Sequence, residues 1–163
     1  MRTTRSNPDT VAAPIGSYSQ SVRVETADAT WIYVSGQIAI DIGGNLVGPG
    51  DVRAQTRQVF ENLKAILEAN GATFADVVKI GTYLTTLGDL AGMREVRGEY
   101  LTSEPPASTA VQVVALVVPE AVIAASIALD ALLLRGDLAE IKAAGIRFRA
   151  GTESAITREL RAI

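Results

Sequence analysis

The chain has 163 residues, 48% of them apolar and 20% charged, with a formal net charge of −3. That length and apolar content fit one domain with a real core, and the mild acidity argues against general attraction to nucleic acid or anionic membrane. There is no histidine and no cysteine, which excludes disulfides, thiol nucleophiles, a Ser-His-Asp triad and the commonest metal ligand. Residues 1–134 hold nine Lys/Arg against fourteen Asp/Glu, whereas residues 135–163 hold six against four. The tail therefore reads either as an ordinary surface helix or as a segment that lies on the acidic body or reaches a partner.

The opening stretch, MRTTRSNPDTVAA, is polar and lacks the apolar region of a secretory signal. Residues 1–14 are expected to be a flexible arm. Residues 17–24 alternate as a strand does, and 31–41 form a second apolar, β-branched run. Gly36 inside that run signals a bulge or a close backbone approach, and Gly43-Gly44-Asn45 signals a turn. A helix is expected over about 51–70, with Asp51 as cap, Val59, Phe60, Leu63, Ile66 and Leu67 at helical spacing, and Asn70-Gly71 at its end. Residues 76–85 read as a strand. A second helix over about 89–102, capped by Asp89, stops before Glu104-Pro105-Pro106.

Residues 109–134 are apolar enough to resemble a membrane span, which needs roughly 20 unbroken apolar residues. Pro119-Glu120 cuts the run, and Gln112, Ser126 and Asp130 interrupt it. Two buried strands, 109–118 and 121–133, are the better reading. The tail adds short helical patterns at 137–143 and 152–161. A sheet this apolar exceeds what two one-sided helices cover, so its second face is expected to be buried against another subunit of a closed homo-oligomer.

Several segments carry a resemblance. Ile15-Gly16-Ser17-Tyr18-Ser19-Gln20 resembles the IGPYSQ motif of the RidA (YjgF) family, and Val34-Ser35-Gly36-Gln37-Ile38 its SGQI. The helix from Gln55 to Leu67, QTRQVFENLKAIL, is similar to its QTRQVLENLKAVL, Asp76-Val77-Val78-Lys79 to its DVVK, and Pro105-Pro106-Ala107 to its PPA. These segments follow in the family's order over about residues 14–130. The resemblance implies a chorismate-mutase-like α+β fold, a six-stranded mixed sheet on two helices, with domain limits of 15–134 and a C-terminal extension over 135–163. It further implies a homotrimer whose sheets line a central barrel, with small-molecule clefts between subunits, and hydrolysis of reactive enamines and imines to 2-keto acids and ammonia without metal or organic cofactor.

Active members of the family place an arginine directly after PPA as a carboxylate clamp and a glutamate in a VEIEA-type last strand to orient water or move protons. Here Ser108 stands in the arginine's place, and Ala124 and Ser126 stand where the two glutamates fall when the segment is aligned on Pro119-Glu120. A charge-assisted hydrogen bond contributes about 1.5–3 kcal/mol, so losing a bidentate clamp implies roughly two decades in carboxylate affinity. The cleft is then expected to suit a neutral or more apolar ligand. The candidate ligand-binding residues are Tyr18, Gly36, Tyr83, Ser108, Thr109 and Ser126, each of which also has a plain structural reading as strand, bulge or core. Glu120 is the one carboxylate candidate for catalysis, and Arg147 and Arg149 are tail cations able to replace the clamp from a neighbouring subunit. Two functions follow: a divergent imine or enamine hydrolase, or a trimeric binding or scaffold protein that has lost the chemistry. A third, ribonuclease, lacks a basic patch or clustered catalytic groups. A cytoplasmic protein with no cofactor, no membrane partner and no nucleic-acid partner is expected.

Overall fold

The computed structural model describes residues 1–102 and 104–131. The elements run β1 (Arg2–Ser6), β2 (Ser21–Glu25), β3 (Thr30–Ile38), α1 (Val52–Ala69), β4 (Val77–Leu84), α2 (Leu90–Tyr100), β5 (Ala107–Gln112) and β6 (Ile123–Ala131). The strands form one six-stranded sheet in the order β1-β2-β3-β6-β4-β5. Every pair is antiparallel except β4 with β5, which are parallel and joined through α2. This is the expected α+β fold, a mixed sheet with two helices.

Both helices pack on one face of the sheet. The stripe Val59, Phe60, Leu63, Ile66 and Leu67 of α1 is fully buried with Ile32, Ile80, Leu84 and Ile123 from the strands. Each such side chain contributes about 1.5–3 kcal/mol by leaving water. Phe60 closes the α1–α2 junction, with Phe74 and Tyr100 at centroid distances of 5.6 and 5.1 Å. Gly92 lets the helices approach, because a Cβ there would lie 2.9 Å from Val52 Cγ1.

Asp51 caps α1 as expected, accepting from the backbone N–H groups of Arg53 and Ala54. Asn70 ends the helix and Gly71 follows at φ +72°, the left-handed region that glycine tolerates. The expected Asp89 cap is not made: its side chain accepts no capping bond. A 3-10 turn over Leu87–Asp89 leads into α2 instead, and Thr86 caps that turn by accepting from Gly88 N–H.

Three buried amides, two in α1 and one at its C-cap, anchor the surrounding chain. Gln55 donates to the carbonyls of Gly48 and Glu120 and accepts from Val122 N–H. Asn62 donates to the carbonyls of Ile38 and Ile40, and Asn70 to Ser21 Oγ and the Ile66 carbonyl. Each bridges α1 to a loop or strand end whose polar groups would otherwise be buried without partners.

Two further sequence expectations change. Residues 2–6, placed in the arm, form β1 and pair along their length with β2. The stretch 109–118 is not a buried strand: β5 ends at Gln112 and is exposed throughout, because among the described residues it is the last strand of the sheet with no neighbour on its outer side. The chain then loops outward, with Val114 fully exposed and Val117 76% exposed. Only the second half of that apolar run, β6, is central and carries buried Ile123, Ala125 and Ile127. Among the described residues no helix is long and apolar enough to cross a membrane. The extension over 135–163, including Arg147 and Arg149, lies outside the described residues.

Candidate functional site

The face of the sheet opposite the helices is open. Alternation along β4 sends Ile80, Thr82 and Leu84 into the core and leaves Lys79, Gly81 and Tyr83 on the open side. Register then brings Gly81 opposite Ser126 of β6 and Thr109 of β5. With Tyr33 of β3, Val111 and Ala128, these residues line a groove of about 400 Å³.

Gly81 makes the floor of that groove. A Cβ built on it would lie 3.3 Å from Ser126 Oγ and 3.4 Å from Tyr83 Oη, so two hydroxyls flank the one position without a side chain. Lys79 Nζ donates to Thr109 Oγ1 at 2.9 Å. Among the described residues, the groove lining thus has an ammonium and the hydroxyls of Tyr33, Tyr83, Thr109 and Ser126, but no carboxylate. Such a set can hold a polar or anionic molecule by donated hydrogen bonds. It offers no side chain that accepts a proton readily at neutral pH. Among the described residues no cluster of three or more acids stands ready for a metal.

Tyr83, Thr109 and Ser126, three of the sequence candidates, therefore meet. The other four lie elsewhere. Ser108 is opposite Ile80 and so points to the helix side of β5, where its Oγ accepts from Arg97 Nη1 at 2.8 Å. Glu120 is in the exposed turn before β6; its carbonyl is held by Gln55, and it does not line the groove. Tyr18 folds back in its own loop, its Oη accepting from Ile15 N–H at 3.4 Å. That loop is pinned to β3 through Ser35, whose Oγ donates to the Ser19 carbonyl and whose N–H donates to the Gln20 carbonyl. Gly36 sits where the β3–β6 register shifts, which is the bulge its sequence suggested, and a Cβ there would meet nothing within 4 Å.

Lys79 and Tyr33 were missed as groove residues. The period of two along β4 was enough to put Lys79 on the same side as Tyr83. Nothing in the order of residues joins Arg97 to Ser108, a contact on the helix side of the sheet that forms only once the chain has folded.

The acids of α2 have partners on α1. Glu95 pairs with Arg53 at 2.7 Å and Glu99 with Arg57. The hydrogen bond from each arginine, and then its charge, hold both carboxyls below the ordinary glutamate range.

The comparisons with known proteins agree with this architecture. The chain is 47% identical over 100 residues to a RutC family protein of Pyrococcus abyssi, covering 61% of this chain and 76% of that protein. It is 39% identical over 104 residues to a 2-iminobutanoate/2-iminopropanoate deaminase of Rattus norvegicus, covering 64% and 73%. The crystal structure of RidA from an Antarctic Psychrobacter superposes with a TM-score of 0.69 at 38% identity, covering 77% of this chain and 97% of that one. The family model described as Endoribonuclease L-PSP matches residues 9–127. The chain therefore belongs to the Endoribonuclease L-PSP family, the RidA (YjgF) family that its motifs resemble.

Proposed function

We propose that the protein is a homotrimer with its sheets around a central barrel, and that it binds a reactive imine, enamine or related intermediate in a cleft between subunits. Deamination of 2-iminopropanoate is weak or absent. The observation that carries this reading is the groove in which Tyr83, Thr109 and Ser126 converge with no carboxylate in its lining.

Imine hydrolysis adds a water oxygen to the imine carbon, breaks the carbon–nitrogen bond and releases ammonia. The carbon is already electrophilic, so the protein's tasks are to hold the substrate, orient the water and move protons. Hydroxyls and Lys79 serve the first two tasks. The third lacks its usual group, since the open-face positions of β6 are Ala124, Ser126 and Ala128. General acid–base assistance is worth about 10²–10⁴-fold, which sets the scale of the missing rate. The unpaired outer edge of β5 and the exposed Val114 and Val117 support the assembly, because an uncovered edge beside an apolar loop is a surface that another chain covers.

The test is ammonia and keto-acid release from freshly generated 2-aminoacrylate, beside an active family member. Slow or spontaneous-rate release is expected, and Ser126→Glu should raise it. Release equal to that of the active member would refute the proposed weakness. The absence of an acid in the groove also favours a second reading, a ligand-binding trimer without turnover. For that protein a groove ligand would raise the melting temperature and stay chemically unchanged.

A further inference from the structure

We propose that the open-face groove is a seat for a phosphate monoester, built around Gly81, and that the ligand of this protein is a phosphorylated small molecule. The inference goes beyond the preceding reading, since it needs neither imine chemistry nor assembly, and it replaces the expectation of a neutral ligand.

The sheet surrounds Gly81 with donors. On one face of a sheet a residue has four nearest neighbours, two along its own strand and one on each adjacent strand. For Gly81 on the open face these are Lys79 and Tyr83 of β4, Thr109 of β5 and Ser126 of β6. Each carries an ammonium or a hydroxyl, and none is an acid. The side chains converge as that register requires. Ser126 Oγ and Tyr83 Oη lie 3.3 and 3.4 Å from the point where a Cβ of residue 81 would stand, and Lys79 Nζ donates to Thr109 Oγ1 at 2.9 Å. That bond holds the ammonium over β5. Thr109 accepts in it, so the threonine's own proton remains for a ligand. Glycine inside a strand marks a place where another group approaches the backbone closely. Here a side chain at position 81 would fill the space between the donors.

The arrangement selects the kind of anion. A carboxylate is planar and is best matched by the fork of an arginine, and among the described residues no arginine lines the groove. Donors from three strands that border one point suit a tetrahedral group, whose oxygens leave in several directions, and lysine serves such a group as a point charge. A phosphate monoester carries about −1.5 to −2 charges at neutral pH, so a carboxylate beside it would repel it. Ser126 stands where a family glutamate falls in the alignment on Pro119-Glu120. The exchange that removes a proton carrier therefore also removes this repulsion.

Titration calorimetry of the full chain with methyl phosphate and with acetate, at neutral pH and physiological salt, tests the seat. Wild type should bind methyl phosphate at least tenfold more tightly than acetate. Lys79→Gln should raise the methyl phosphate Kd about ten- to a hundredfold, and Ser126→Glu should abolish binding through like charge. Gly81→Ala should weaken binding at least tenfold with Lys79 in place, because the methyl group occupies the seat. Lys64→Gln, at an exposed lysine of α1, should leave the Kd unchanged. Equal affinity in wild type and Lys79→Gln, an equal loss in Lys64→Gln, or no preference for methyl phosphate over acetate overturns the seat. The preceding reading fails separately: by a monomer in sedimentation, or by 2-aminoacrylate deamination as fast as that of an active member, with the Lys79-dependent Kd intact.

Discussion

The two faces of this sheet are built from the same strands yet end in different states. On the helix side, Ile32, Ile80, Leu84 and Ile123 are sealed by α1 and α2. On the other side, Tyr33, Tyr83 and Val111 remain 52%, 39% and 39% exposed, and among the described residues β5 has no outer neighbour. One chain completes the first face; the second offers a groove, an open edge and an apolar loop. Stability belongs to the first face and, on the proposed function, binding and assembly to the second, so substitutions on the two should fail in different ways.

The largest effect is expected on the sealed face. Phe60→Ala removes the ring that joins α1, Phe74 and Tyr100 and should cost about 3–5 kcal/mol, read from urea denaturation. A loss below about 1 kcal/mol would mean that the core is not centred there. On the open side, Val117→Asp should change folding little but weaken self-association at least tenfold (an order-of-magnitude expectation for a charge in an apolar contact), seen in sedimentation equilibrium. An unchanged oligomer would remove the 113–118 loop from the interface.

A smaller effect probes a flaw in the sealed face. Thr82 is buried and its hydroxyl has no hydrogen-bond partner among the described residues. Thr82→Val removes an uncompensated polar group at nearly constant shape and should stabilise the fold by up to about 1 kcal/mol. Destabilisation would show that the hydroxyl has a partner in the assembled protein.

The smallest effect concerns the Arg53–Glu95 and Arg57–Glu99 pairs on the surface of the helices. Both carboxyls titrate lower in the folded chain than in the unfolded one. Their contribution is therefore present above the ordinary glutamate pKa and lost as pH falls through the lowered folded value. These side chains are exposed, so the change should be slight and screened by salt. Melting curves of wild type and Glu95→Gln/Glu99→Gln should differ at pH 7 and converge in acid; a gap that widens in acid would contradict the assignment.

Much of this was legible in the residues. The helical stripe of α1, its Asp51 cap and its Asn70-Gly71 end follow from local spacing and local dihedral preference. The motif series was enough to place the chain in its family, and the family's clamp and last-strand positions pointed to Thr109 and Ser126, with Tyr83 as an aromatic wall. Other features depend on partners distant in sequence. β1 forms because β2 presents an edge to it, which a polar stretch such as RTTRS does not announce. The valines of 113–118 looked buried because composition carries no information about whether a strand has a neighbour. Gln55, Asn62 and Asn70 are buried anchors only because of the loops and strand ends packed against them.

What the sequence by itself determined is the periodicity: which residues form helices, which alternate along strands, and that imidazole and thiolate chemistry are absent. What only the tertiary structure decided is which of those residues meet. Register placed Gly81 between Thr109 and Ser126, and the folding of α2 over the chain brought Arg97 to Ser108. Local patterns arise from neighbours three or four residues apart on a helix and two apart on a strand, whereas a site is made by side chains that the chain brings together only after its core has closed.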